Sequence, residues 1–535
     1  MKNHLESKLD RHEKVLPLNK LIPIAITLAF CCFLNMVDSI SVTIASPYIS
    51  KDLKAERTIQ WAGTALLMSN AIFTVWTGRL CDIFGRKYVL VGSGVILAFC
   101  DLAAGFVKKD YQFFILRGLA GIGNGGLNSI PIITLSDVVA LERRGLFQGI
   151  LGSSISLGLA LGPFIMSGFI VHTEKTWRSF YFFMCPSILL VCFLNFLILP
   201  TASSPFSKME IVKNLDILGS FIAASSLILI LIPINGGGSI YQWNSPIVIS
   251  MFCVGFTLLV IFLLVEWKIA RLPMIPLNLF QSLVLSNLLL QAFLYGIVWA
   301  SVLYYMPFYL ELIRELPLMT TCGYLAITNI STTLISTVTG HLIRYFDGYN
   351  YVIWCGFFLW TLVNGLMFTL QIESSMAKLG VYLLILGIAI GCTFQPTILA
   401  VQANSSKENR AIALSVRNVL RALGNSVGVA MSSLIYTSTL INGVDLHDSL
   451  PKHIKLEILN NAYARPNLSL FSENEKLILK VLLMKSMKNI FAMWIPLTGL
   501  CLLLSFFVKD QKFTISGELD KAVEIEVIIP ESQEK

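Results

Sequence analysis

Fourteen apolar runs, each of about twenty residues or more, divide this chain, and polar turns separate them. About 20 apolar residues cross a bilayer as a helix. In hydrocarbon every backbone N–H and C=O must be satisfied within the protein, so only helices or closed barrels can span. The runs lie near 21–47, 59–79, 88–107, 112–138, 146–171, 179–199, 215–235, 246–267, 283–310, 318–342, 350–371, 377–402, 411–438 and 487–508. The predicted fold is an all-α polytopic membrane protein with 14 transmembrane helices. Its solvent is the lipid bilayer. The run at 283–310 fits one tilted helix or a broken one. Only 13% of residues are charged, against roughly 25% in soluble domains. Mean hydropathy is +0.72. The first run lacks a small-residue cleavage site and is too long for a signal-peptide core, so it reads as a retained span.

An even number of spans places both tails on one side. Lys2, Lys8, Arg11, Lys14 and Lys20 make that side cytosolic. The segment 442–485 is then lumenal or extracellular, with a glycosylation sequon at Asn467, while the sequon at Asn404 faces the cytosol. Lys51, Lys54, Arg57, Lys108 and Lys109 fall on the outer side, against the charge rule. The net charge of +8 is spread over loops and tails without a basic face, which excludes nucleic acid as a partner. All 11 Cys sit in or beside apolar runs, so packing rather than a disulfide framework is expected. The tails 1–20 and 509–535 are polar and expected to be disordered.

The chain repeats itself. Ser41-Val42 and Pro47 recur as Ser301-Val302 and Pro307, a spacing of 260. Gly78-x-Leu80 recurs as Gly340-x-Leu342 at 262. Gly121 and Gly125 recur as Gly387 and Gly391, and Glu142-x-Arg144, Gly158 and Gly162 as Glu408-x-Arg410, Gly424 and Gly428, all at 266. Helices 1–6 (21–200) therefore match helices 9–14 (281–508), with a two-helix insert at 201–280. Parallel six-helix repeats with a binding site between them are the plan of alternating-access transport.

Between the second and third runs lies the charged stretch Gly78-Arg79-Leu80-Cys81-Asp82-Ile83-Phe84-Gly85-Arg86-Lys87. It reads as a turn at the membrane surface, bounded by Gly78 and Gly85. Asp82 can pair with Arg86 or accept from helix amides, and such a lock can close one side of a transporter. The bland alternative is a solvated turn that sets topology. This stretch resembles the first-loop signature of the major facilitator superfamily. Arg117-Gly118-Leu119-Ala120-Gly121-Ile122-Gly123-Asn124-Gly125-Gly126 resembles its fourth-helix motif in fungal fourteen-helix drug:proton antiporters. Ser136-Asp137, Arg143-Arg144-Gly145, Gly158-x-x-x-Gly162-Pro163, Trp177-Arg178 with Pro186, and Arg417-Asn418 with Arg421 resemble further motifs of that family. The nearest subgroup is similar to fungal vacuolar basic amino acid transporters and their multidrug-exporting relatives. Met166-Ser167 and Ala120 depart from the pattern, which bears on substrate rather than fold.

Several polar residues lie within spans. Asp38 sits over halfway along the first run, where a carboxylate costs roughly 2.5–3.5 kcal/mol on insertion scales, so it is expected to face a cavity. It matches the acidic position of the family's first-helix motif. It either exchanges protons during the cycle or forms a fixed ion pair, with Arg117 as partner. The resemblance implies that Arg117 links proton binding to helix motion; a snorkelling surface Arg is the alternative. Gly158, Gly162 and Pro163 allow close helix packing with a bend, either a rocking seam or an ordinary contact. Arg417 and Arg421 share one face of helix 13, one turn apart. They line a cavity or gate, neutralise Asp38 or hold an anionic group, or else form a buried structural pair. Asn124, Asn128, Gln291, Trp299, Tyr304 and Gln395 are cavity candidates or packing residues. Asp101 has no assignable partner and reads as structural.

No nucleotide loop, metal-ligand cluster or nucleophilic triad occurs, so no cofactor and no enzyme activity are expected. The reading is a proton-coupled antiporter that moves small organic solutes out of the cytosol, across the plasma or vacuolar membrane, as a monomer. Drug-like cations and basic amino acids are the two substrate readings. A non-transporting nutrient sensor on the same fold is the alternative function.

Overall fold

Glycines set how closely these helices approach, and apolar length sets where they run. The structure, a computed structural model, describes residues 17–55, 58–139, 141–173, 176–200, 217–236, 244–268, 280–346, 348–405, 410–446, 451, 455 and 472–508. Asn467 and most of both tails lie outside them. The first six helices are α1 (Leu18–Leu53), α2 (Gln60–Phe84), α3 (Arg86–Ala104), α4 (Asp110–Val138), α5 (Leu141–His172) and α6 (Trp177–Ile198). The insert follows as α7 (Ile217–Gly236) and α8 (Pro246–Lys268). The last six are α9 (Leu283–Phe308), α10 (Leu318–Tyr345), α11 (Asn350–Phe368), α12 (Met376–Ala403), α13 (Arg410–Leu446) and α14 (Glu473–Ser505). Eleven of them hold a stretch long and apolar enough to cross a membrane. The chain is an integral membrane protein, and its described residues form fourteen helices: two six-helix bundles and a two-helix insert.

Three expectations are corrected in detail. The stretch 78–87 is not a ten-residue turn. α2 stays helical through Phe84 and α3 starts at Arg86, so Gly85 alone joins them. It does so at φ 83, ψ 145, the one positive-φ glycine among the described residues. A side chain is strained there, which explains why glycine stands at this position. The run at 283–310 is continuous and extends through a π-helical turn, Tyr309–Ile313, just after Pro307. The polar segment 442–485 is shorter than expected, because α13 reaches Leu446 and α14 starts at Glu473. Ser472 and Glu475 form a capping box that starts α14 early, and Lys480 pairs with Glu315 at 3.0 Å.

The duplication is physical as well as textual. Gly158 and Gly162 of α5 press on Phe33, Met36, Val37 and Ile40 of α1. Gly424 and Gly428 of α13 press on Phe293, Gly296 and Ile297 of α9. Phe33 and Val37 stand 260 positions before Phe293 and Ile297. Gly121 and Gly125 of α4 meet Leu66 to Phe73 of α2, and Gly387 and Gly391 of α12 meet Thr328 to Ile335 of α10. The pairings α1–α5, α2–α4, α3–α4 and α3–α6 thus recur as α9–α13, α10–α12, α11–α12 and α11–α14. The bundles meet along two seams, α2 with α13 and α5 with α10. α7 packs on both α2 and α13, and Ser226 of α7 donates to the Gly255 carbonyl of α8 at 2.8 Å.

A Cβ at Gly428 would run into the Ile297 backbone, which cannot swing aside. Gly428→Ala should therefore lower stability by about 1–3 kcal/mol. Thermal unfolding in detergent reads this directly, and a wild-type Tm would refute the contact.

Candidate functional site

Two carboxylates and one guanidinium are enclosed inside the first bundle. Asp38 comes from α1, Asp101 from α3 and Arg117 from α4, and each is at most 1% exposed. Arg117 Nη1 donates to Asp38 Oδ1 at 2.8 Å and lies 3.7 Å from Asp101 Oδ1. The Tyr181 ring of α6 lies 5.8 Å from the guanidinium. Asp38 Oδ2 and both Asp101 oxygens accept no hydrogen bond among the described residues. Two negative groups face one positive group, so the cluster holds one uncompensated charge where water is excluded. Burying such a charge is costly, and one proton balances it.

This geometry pairs Asp38 with a cation of its own bundle, Arg117 of α4, the partner that the sequence offered. It also gives Asp101 the partner that the sequence did not reveal. The available signal was an acid and a base in consecutive apolar runs, Asp101 and Arg117, joined by the short connection 105–109.

The polar residues of α2 and α4 form a ladder. Asn70 donates to Asn124, Asn124 donates to Ser39 of α1 at 2.5 Å, and Thr77 bonds Ser129 at 3.0 Å. Asn124 is buried in this ladder, while Asn128 is half-buried. Gln291 of α9 stands apart from this ladder. It is buried and donates to the Cys501 carbonyl of α14 at 2.9 Å, bracing α9. Tyr304 packs on Gly63 of the other bundle, so it belongs to the contact between the halves.

In the second bundle, α13 carries two arginines one turn apart. Arg417 is 2% exposed and donates from Nη2 to Thr397 Oγ1 at 3.1 Å and to the Phe394 carbonyl at 3.4 Å. Its Nη1 donates to Asn418 Oδ1 at 3.3 Å. Arg417 and Arg421 lie over the same Phe394 ring, 5.5 and 5.7 Å from its centroid. Tyr295 packs on that ring at 5.9 Å and on Trp299 at 6.5 Å. Arg421, Trp299, Phe394 and Gln395 are half-buried. Arg421 does not reach Asp38, which is held by Arg117. Among the described residues no carboxylate pairs with either α13 arginine.

The gating candidates divide. Gly158 and Gly162 lie on the α1–α5 contact, and Pro163 lines a small pocket with Ile40, Val302, Met306, Thr328 and Asn329. That pocket spans both bundles, and beside it Asn329 of α10 donates to the Leu159 carbonyl of α5 at 3.1 Å. Lys87 sits over the Phe196 ring at 4.6 Å, tying α3 to α6, and Arg86 is half-buried. Gly78 and Asp82 lie in helical backbone at the end of α2, and the Asp82 side chain is outside the described residues. No group of described residues could hold a metal ion. The sequon residue Asn404 is half-buried and donates to Tyr349 at 2.8 Å.

Similar proteins were found by sequence and by fold. Citrate exporter 1 of Yarrowia lipolytica is 36% identical over 509 residues, covering 94% of this chain and 75% of that protein. The MFS-type transporter clz4 of Cochliobolus lunatus is 32% identical, covering 82% and 78%. Among solved structures, an inward-facing, unoccupied bacterial homologue of the human lysosomal transporter Spinster superposes with a TM-score of 0.65 at 14% identity, covering 92% of this chain and 98% of that one. A family model described as Major Facilitator Superfamily matches residues 28–429. The matched span covers most of the first half of the repeat and runs into the second as far as α13, and the chain belongs to the major facilitator superfamily.

Proposed function

We propose that this chain is a proton-coupled secondary transporter that exports small organic solutes from the cytosol, across the plasma or the vacuolar membrane. The Asp38–Arg117–Asp101 cluster carries this reading: two buried carboxylates share one guanidinium, so the site is balanced when it holds one proton. Arg117 is the natural relay. A proton on Asp38 releases the guanidinium toward Asp101, and α1, α3 and α4 shift against one another. The glycine contacts of α5 on α1 and of α13 on α9 hold each bundle rigid while the seams rearrange. The name of the Yarrowia lipolytica relative supports outward movement of an organic solute. With both termini in the cytosol, the Tyr304–Gly63 and Asn329–Leu159 contacts close the outer side.

Flux tests the reading. In membrane vesicles that hold the protein, an imposed proton gradient should drive solute movement, and a protonophore should abolish it. Flux indifferent to the protonophore, or binding without any flux, would refute proton-coupled transport. Glycosidase-sensitive mass on Asn467 checks the topology; the same signal on Asn404 reverses it.

A further inference from the structure

We infer that Arg417 and Arg421 form a binding site for the carboxylates of an anionic substrate carrying two or more of them. The inference rests on the transport reading above and names the solute it moves. Burying a guanidinium without a counter-charge is unfavourable, and two of them one turn apart repel each other. The protein still places both on one face of α13. Arg421 lies eleven residues beyond Arg410, ~16 Å along the helix, and inside the apolar span Val416–Val444.

The arginines are held rather than neutralised. The Phe394 ring lies against both guanidiniums, and Thr397 with the Phe394 carbonyl anchors Arg417. These contacts fix direction without cancelling charge. Nε of each arginine has no hydrogen-bond partner among the described residues. Arg421 is only half-buried, so its fork is reachable, while Arg417 supplies a second charge behind it. A guanidinium matches a carboxylate bidentately, which a lysine cannot do. Two guanidiniums with donors to spare therefore suit a compact di- or tricarboxylate. The same field repels an organic cation or a lysine side chain. The two clusters have opposite polarity: a surplus negative charge beside Arg117 for the proton, a surplus positive charge on α13 for the anion.

Equilibrium binding to the purified full-length protein, with no gradient, separates this inference from the proton reading. The probes are propane-1,2,3-tricarboxylate, its trimethyl ester, succinate, lysine and tetraphenylphosphonium, followed by calorimetry. The tricarboxylate should bind, and the ester, lysine and tetraphenylphosphonium should not. Arg421→Gln should weaken the tricarboxylate about tenfold or more. Arg421→Lys, which keeps the charge but loses the fork, should fall between, and it serves where the Gln variant fails to fold. Absence of tricarboxylate binding by the folded wild-type protein overturns the inference. So does an affinity that neither variant changes, or saturable binding of lysine or tetraphenylphosphonium instead. Tricarboxylate binding with protonophore-insensitive flux would leave this site standing and remove the proton coupling.

Discussion

Asp38→Asn should abolish proton-driven efflux while leaving the protein folded. Asparagine keeps the side-chain shape and can still accept from Arg117 Nη1, which now bonds Asp38 at 2.8 Å. Arg117 and Asp101, 3.7 Å apart, then remain as one balanced pair. The fold therefore loses little, whereas the carboxylate proposed to take up and release the proton is gone. Gradient-driven flux should drop about 100-fold or more, the usual scale for deleting an essential proton-transfer group. Uptake into vesicles under an imposed pH gradient, set beside the thermal unfolding curve, makes the comparison. Undiminished coupled flux in this variant ends the case for Asp38 as the proton site.

Arg117→Gln should do the reverse and damage the fold itself. It leaves Asp38 and Asp101 buried side by side with no cation, each no more than 1% exposed. Removing one partner of a buried ion pair costs about 3–5 kcal/mol, because the other charge stays behind unpaired. The variant should unfold earlier in detergent or fail to accumulate. The double variant Arg117→Gln with Asp38→Asn leaves a single carboxylate and should recover part of that loss. If the single and double variants unfold alike, the three residues do not share one electrostatic site.

The number of helices and the duplication were legible because hydrocarbon imposes one rule on every span and because the glycine contacts are written in both halves at constant spacing. Gly158 and Gly424 could be matched before any helix was placed, and both proved to lie on the same kind of helix contact. The charged stretch 78–87 was recognisable by composition, but its shape was not. Helix propensity carries α2 through Phe84, and one glycine suffices for the break. Side-chain partners were less readable still. Asp101 and Gln291 each find a partner on another helix, Arg117 of α4 and the Cys501 carbonyl of α14, and a linear pattern does not specify how helices are rotated about their axes. The early start of α14 was available in Ser472-x-x-Glu475, a capping signal that hydropathy overlooks because the turn after it is charged.

The place of α7 has a bearing on how the bilayer meets the moving parts. Where α2 and α13 come together, lipid tails are shielded by α7, which touches both. The α5–α10 flank has no such cover among the described residues. The two flanks of the transporter therefore meet the bilayer unequally: a helix roofs one, and lipid lies directly against the other seam.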